Sequence, residues 1–473
     1  MNFDQFLQSN KREHVWCMLE YWTAQHPHKV ALIDYRTEAM NSLTFSELYT
    51  KACGIVTTLI ELGATSQTQA LIFLRPSLNF HPLIFALFRL QISPIFIDPS
   101  MPRGEFLKAV KLLKPKIIIA EPLAIWFSRF YSEEFASITL SITSKKSFGL
   151  DLPSLEDFPL GSPEAIPDLP WPKDHDLAAI LYTSGGTGIP KAVPYTHSIF
   201  WNQTLNLRKL FNLTESDRDY PGFPLFSMFT LCLGMQSGIT KIDPRGPARC
   251  NPKSVAQDLI ESKATFAAGS PAIWEKVAKH AQTHKLQFPH LKYLTMFGAS
   301  VSLRLHREWA SLLPSGTTYT PYGATEALPV ACISGQEILN EFSNPTLDGQ
   351  GTCVGKPAQG IDIAIIPITD KALATSEELA TLHTGEMGEI CVKGPVATTE
   401  YLFQKEETEL SRVETQHGFW HRMGDLGYLD KNGYLWFMGR KKHRLEVSEE
   451  GLGEGSSLLI STETIEATYN DHP

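Results

Sequence analysis

The chain has 473 residues, 43% of them hydrophobic and 20% charged, with a formal net charge of -9 at pH 7. That composition describes a globular protein with large cores, organised as roughly three domains or subdomains. No long run of Lys or Arg supplies the electrostatic footprint that a polyanion requires, so no nucleic-acid partner is expected.

The start, MNFDQFLQSNKREHVW, is polar and lacks the apolar stretch of a signal peptide, so a cytoplasmic location is expected. Seven cysteines, Cys17, Cys53, Cys232, Cys250, Cys332, Cys353 and Cys391, show neither CxxC spacing nor nearby paired histidines, and they read as reduced, mostly buried thiols. From about Trp22 to Pro122, short β-branched runs alternate with amphipathic segments: KVALIDY, a helix near Phe45 to Leu62, QALIFL, PLIFALFRLQISPIFI and KIIIA. This rhythm predicts parallel sheets covered by helices. The apolar window Pro82 to Ile97 carries Arg89 and Gln91 and falls short of the ~20 residues of a spanning helix, so it is expected as a helix followed by a buried strand, and no membrane span is expected. Asp151 to Asp174, rich in Pro, Ser, Asp and Glu, reads as a surface linker. A second alternating region follows from about Leu177 to Pro329, then a β-rich, glycine-rich one from Gly349 to Phe437.

The strongest chemical signal is LYTSGGTGIPKAVPYTH. A β-run ends at Tyr182 and opens into Thr183, Ser184, Gly185, Gly186, Thr187 and Gly188, then Pro190 and Lys191. Glycines let the main chain turn N–H groups toward an anion, hydroxyls add donors and the lysine adds charge, which together make a phosphate cradle. It differs from a Walker A loop because Pro190 precedes the lysine and no Ser or Thr follows it. Three further segments stand out downstream: MFGAS (Met296 to Ser300), TPYGATEALPV around Tyr322 to Glu326, and HRMGDLGYLDKNGYLWFMGRKKHR. His197 and His443 read as solvated or locally bonded loop histidines that could alternatively act as bases, and Trp201, Trp274 and Phe226 as core aromatics that could alternatively line an acyl pocket.

In this order the segments resemble the adenylate-forming superfamily of acyl-CoA synthetases, luciferases and peptide-synthetase adenylation domains. Gly186 departs from its signature where Ser or Thr is usual, and Ala192 replaces a Gly. The resemblance implies ATP and Mg²⁺ as cofactors and a small-molecule carboxylic acid as substrate, joined to AMP with release of pyrophosphate. It implies Tyr322 and Gly323 beside adenine together with Gly298 and Ala299, Thr325 on phosphate, Glu326 on magnesium, Asp425 on the ribose hydroxyls with Arg440 following, and Lys442 at a hinge. Lys191, Thr325 and Glu326 would carry catalysis by positioning and charge neutralisation. The implied fold is α/β, an N-terminal adenylation domain over residues 1–440 with two βα-layered subdomains and a β-rich one, and 441–473 as the start of a C-terminal subdomain that is otherwise largely missing.

A narrower resemblance lies in YGATEALPV, GFPLFSMF, AGSPAIW and GRKKHR, which are similar to the β-lactone synthetases of bacterial olefin biosynthesis. It implies that a 3-hydroxy fatty acid is adenylated and that its own hydroxyl then closes a lactone. Ser227 stands where many acyl-CoA synthetases have a histidine, which favours this reading over fatty acyl-CoA or acyl-AMP ligation with CoA as acceptor. TETIEATYNDHP resembles the first helix of the C-terminal subdomain, the tail after about Lys442 is expected to be mobile, and an early stop would leave a catalytically impaired, nucleotide-binding chain.

Overall fold

The computed structural model describes residues 2–98, 101–183, 190–375, 379–448, 457–460 and 463. The chain divides into two compact units, Met1–Cys250 and Asn251–Pro473.

In the first unit, one sheet runs in the order Leu140–Thr143, Ile117–Ala120, Thr68–Phe73, Ile92–Ile97, Leu177–Thr183, Lys191–Thr196. Its first five strands are parallel, and the last folds back antiparallel on its predecessor. Ile117, Ile118, Ile119 and Ala120 are all buried, as expected of an interior strand covered on both faces. A second set, Arg218–Pro221, Gln236–Ile239, Val30–Asp34 and Ser42–Thr44, is parallel up to its last, antiparallel pair. The apolar window divides as expected into the helix Phe80–Arg89 and the strand Ile92–Ile97.

The helix Phe45–Glu61 begins on a capping box, in which Thr44 Oγ1 accepts from the Glu47 N–H at 3.2 Å and Glu47 Oε2 accepts from the Thr44 N–H at 2.7 Å. Leu48, Ala52 and Val56 bury its inner face. The stretch read as a surface linker lies tightly on this helix: a Cβ at Gly54 would sit 1.9 Å from the Pro159 carbonyl oxygen, and the Gly161 N–H donates to the Thr50 carbonyl at 2.9 Å. Only glycine permits that approach.

His197 corrects its sequence reading. It opens the helix His197–Phe211 and points inward, 1% exposed, with its ring 4.3 Å from that of the equally buried His14 and both its nitrogens without a partner among the described residues. Burial holds His197 down to about 4 against the opposing pull of Asp176, and burial followed by the His197 charge holds His14 well below its ordinary value. His81 and His306 are likewise held near 4 by burial. Because these imidazoles are neutral when folded and gain protons on unfolding, their stability is whole above about pH 6.5 and is lost as pH falls toward 4. Buried Asp219 and Asp425, raised to about 6, act oppositely, since they protonate first in the folded chain. The histidines are the larger group, and His197 alone is worth about 3 kcal/mol by the foot of the window. The thermal midpoint is therefore expected to drop between pH 7 and pH 4.5, and His197→Phe should flatten that drop; a midpoint level across the range in the parent chain would contradict the buried neutral pair.

In the second unit the strands Phe266–Gly269, Tyr293–Met296 and Thr317–Ala324 are parallel, and Ala327–Ser334, Thr352–Pro357, Leu435–Arg440, Gly418–Leu429, Gly388–Lys393 and Asp362–Ile366 continue antiparallel, with Arg412–Thr415 paired on Gly418–Leu429. The β-rich region expected after Gly349 is this antiparallel part. Trp274 and Trp309 are fully buried edge to face at 6.2 Å, which makes Trp274 a core residue. Trp201 is buried too. Six of the seven cysteines are buried, with Cys332 intermediate. Lys441–His443 form a single 3₁₀ turn, followed by the antiparallel pair Leu445–Ser448 and Ser457–Ile460. The helix expected over TETIEATYNDHP lies, apart from Glu463, outside the described residues.

Candidate active site

Thr325 and Glu326 form the two-residue turn between the strands Thr317–Ala324 and Ala327–Ser334, with Ala324 paired to Ala327. The turn is tight because of Gly323, where a Cβ would lie 2.4 Å from the Ala327 carbonyl oxygen. The segment after residue 396 runs along the turn. Ala397 bridges to Ala327, the Thr398 N–H donates to the Glu326 carbonyl at 2.8 Å, and the Tyr401 hydroxyl donates to Glu326 Oε1 at 2.6 Å. Burial and then the Glu326 charge push the Tyr401 hydroxyl up, so it stays a donor.

Asp425 lies within the strand Gly418–Leu429, just after Gly424 with φ +66°, and its carboxylate is buried. Tyr322 donates to Oδ2 at 2.6 Å, and Arg440, the cross-strand partner of Asp425, donates from Nη1 to Oδ1 at 2.7 Å. Burial raises the Asp425 carboxyl to about 6; Arg440 and Tyr322 oppose the rise, and the Glu326 charge adds to it. Burial and Asp425 together push Tyr322 well above its ordinary value. Both Asp425 oxygens thus have a partner, and each keeps a lone pair for one further donor.

Gly298, with φ +87°, and Ala299 are exposed just past the carboxyl end of the parallel strand Tyr293–Met296. That edge is where ligands of open α/β sheets bind. The Ser300 hydroxyl beside them donates to Glu463 Oε1 at 2.7 Å, and the Thr352 hydroxyl donates to Glu463 Oε2 at 3.1 Å.

The fold of the second unit thus links Tyr322, Asp425 and Arg440 directly and places Gly323 at the end of the strand and Thr325 and Glu326 in the adjoining turn. Glu326 suits a divalent cation by its donor chemistry: Oε1 is fixed by a neutral phenol, Oε2 carries no hydrogen bond to a described residue, and no cationic side chain pairs with it among the described residues. Its neighbour Asp425 already has Arg440.

In the first unit, Lys191 is buried and stands in register with Thr183 where the antiparallel pair opens. Ser184, Gly185, Gly186, Thr187 and Gly188 lie outside the described residues, as does the Thr183 side chain. Ala192 is fully buried opposite Tyr182. Ser227 is fully buried with no partner for its hydroxyl among the described residues, and His81 Nε2 donates to the Pro224 carbonyl at 3.0 Å. Phe226 is partly buried and His443 is exposed. Sequence reasoning missed Tyr401, Glu463 and His81, none of which sits in a segment with a chemical pattern of its own.

The family model for AMP-binding enzymes matches residues 19–402. The chain is 33% identical over 441 residues to an olefin β-lactone synthetase of Xanthomonas campestris pv. campestris, covering 91% of this chain and 76% of that one. A protein of the same description from Stenotrophomonas maltophilia is 33% identical over 435 residues, with the same coverage. Among solved structures, the O-succinylbenzoate coenzyme A synthetase of Bacillus subtilis in complex with ATP and magnesium superposes with a TM-score of 0.72 at 19% identity, covering 93% of this chain and 82% of that one. A long-chain-fatty-acid-CoA ligase of Archaeoglobus fulgidus superposes with a TM-score of 0.75 at 18% identity, covering 92% and 88%. No helix among the described residues is long and apolar enough to cross a membrane. The family-model match over residues 19–402 and the identity across 91% of the chain lead to one assignment: this chain belongs to the AMP-binding enzyme family and is an AMP-forming, ATP-dependent ligase or synthetase.

Proposed function

We propose that the chain activates a 3-hydroxy fatty acid as its acyl adenylate and that the substrate's own hydroxyl then closes a β-lactone. The observation that carries this reading is the identity across 91% of the chain to relatives described as olefin β-lactone synthetases. A carboxylate oxygen attacks the α-phosphorus of ATP and pyrophosphate leaves; the 3-hydroxyl oxygen then attacks the acyl carbon, its proton passes to solvent, and AMP leaves. In this reading residues 1–440 are the adenylation domain and 441–473 begin a further subdomain.

The roles we assign are those that the resemblance implies, and the chemistry of the polar side chains suits them. Asp425, with one lone pair left on each oxygen, accepts the ribose hydroxyls, and Arg440 keeps it ionised. Tyr322, Gly323, Gly298 and Ala299 flank the base, Thr325 and the loop from Thr183 to Gly188 bind phosphate oxygens, and Lys191 meets developing negative charge. Glu326 holds magnesium, which when bound neutralises triphosphate charge. Asp425→Asn keeps the shape but removes the charge and one acceptor, so it should weaken ATP binding by about 1.5–3 kcal/mol, roughly ten- to a hundredfold. Calorimetric titration checks this, and unchanged affinity would remove Asp425 from the ribose site.

The second reading is an acyl-CoA or acyl-AMP ligase, favoured by the structural likeness to CoA ligases. Pyrophosphate release decides between them, measured with a long-chain 3-hydroxy acid or its deoxy analogue, with and without CoA. Release that needs the hydroxyl and not CoA, with lactone as product, supports the proposal. Acyl-CoA from the hydroxy acid with no lactone would overturn it.

A further inference from the structure

We propose that Tyr401 is a positioning residue that sets the Glu326 carboxylate for the divalent cation accompanying ATP, an inference that rests on the reading of Glu326 as the metal ligand. The two residues are 75 positions apart, yet the Tyr401 hydroxyl donates to Oε1 at 2.6 Å. The contact is built into the backbone around it. Ala397 bridges to Ala327, the Thr398 N–H holds the Glu326 carbonyl at 2.8 Å, and the Tyr401 N–H donates to Thr408 Oγ1 at 2.9 Å. The Thr408 hydroxyl in turn donates to the Gln404 carbonyl at 3.0 Å, closing the turn that follows Tyr401. Tyr401 is 5% exposed, so its ring has little freedom to swing away.

A glutamate at the tip of a two-residue turn has three side-chain torsions to fix, and ordering such a side chain opposes cation binding. A lysine or arginine partner would order it but would also neutralise it. A phenol fixes one oxygen and leaves the full negative charge, while Oε2 carries no hydrogen bond to a described residue. That is the arrangement found around metal-binding carboxylates whose own oxygens are hydrogen-bonded.

The test uses the full chain and three variants: Tyr401→Phe, which deletes one hydroxyl; Thr408→Val, which loosens the turn under Tyr401 without touching ring or carboxylate; and Glu326→Gln. Manganese bound in the ternary complex with ATP is titrated by electron paramagnetic resonance. ATP binding in EDTA, the thermal midpoint, and pyrophosphate release against magnesium concentration are measured beside it. Tyr401→Phe should weaken manganese in the ternary complex about tenfold, leave ATP binding in EDTA unchanged, and recover pyrophosphate release at high magnesium. Thr408→Val should shift manganese in the same direction by less. If Glu326→Gln weakens manganese while neither Tyr401→Phe nor Thr408→Val does, the positioning role is overturned and the metal reading stands. If no variant changes manganese binding, the metal reading fails and the proposal with it. A loss in Tyr401→Phe that high magnesium does not restore, with ATP binding in EDTA also weakened, would mark Tyr401 as a structural residue only.

Discussion

Glu326→Gln is expected to slow pyrophosphate release by about 10²–10³-fold at ordinary magnesium concentration, a loss of about 3–4 kcal/mol of transition-state stabilisation. The reason is charge. Glutamine preserves the volume of the side chain and an acceptor for the Tyr401 hydroxyl, so the 2.6 Å hydrogen bond can persist while the anionic ligand is gone. Glu326→Ala removes the same ligand but also leaves the buried Tyr401 hydroxyl without its acceptor, at a cost of about 1–3 kcal/mol of stability. Alanine therefore mixes a folding effect with the catalytic one, and glutamine is the sharper probe. The check is pyrophosphate release alongside the thermal midpoint and ATP binding in EDTA, both of which should hold. Release that remains at the parent rate would mean that the turn between the two strands does not carry the metal site.

What the sequence made legible were segments whose composition is itself unusual. The helix over Phe45–Glu61 was readable from its amphipathic pattern, and the strands Thr68–Phe73 and Ile117–Ala120 from their β-branched runs. Tyr322, Glu326, Asp425 and Arg440 stand out in the sequence only through the resemblance of their segments to the adenylate-forming superfamily. The pairing of these segments was not readable. Tyr322 and Asp425 are 103 positions apart and meet through a 2.6 Å hydrogen bond that nothing local announces. Tyr401 sits in TTEYLFQ, a stretch with no glycine and no periodicity, and becomes informative only when Ala397 bridges to Ala327.

His197 failed for a different physical reason. A polar residue following PYT suggests a turn on the surface, but Thr196 caps a helix whose first residue points inward, and the burial of an imidazole beside His14 follows from helix direction rather than from residue type. Gly54 shows the same limit. In sequence it is a helix-weakening residue, and in the fold it is the contact point for Pro159.

Arg422→Met should be strongly destabilising, because it removes one half of an ion pair that is almost completely shielded from water. The side chains of Arg422 and Glu389 are 2% and 1% exposed and lie 2.6 Å apart. The same guanidinium donates to the carbonyls of Lys371 at 2.7 Å and Leu410 at 3.0 Å, and to that of Thr369. Methionine fills much of the volume but satisfies none of these acceptors, and it leaves Glu389 with Lys441 alone, whose Nζ lies 3.1 Å from both of its oxygens. Breaking a buried pair from one side costs about 3–5 kcal/mol, which for a unit of this size lowers the thermal midpoint by on the order of 10 °C. Arg422→Lys should recover only part, since an ammonium cannot span the carboxylate and the carbonyls together. Lys441→Met should cost less, because Arg422 still covers Glu389. The comparison bears on the basic run as well. Arg440 holds Asp425, Lys441 holds Glu389 and Arg444 holds Asp370 at 3.0 Å, whereas Lys442 among them is exposed. Thermal unfolding of the three variants checks the order; an Arg422→Met midpoint within a degree or two of the parent would show that the pair is bound no more tightly than a surface contact, and that the run after Arg440 is not anchored through Glu389.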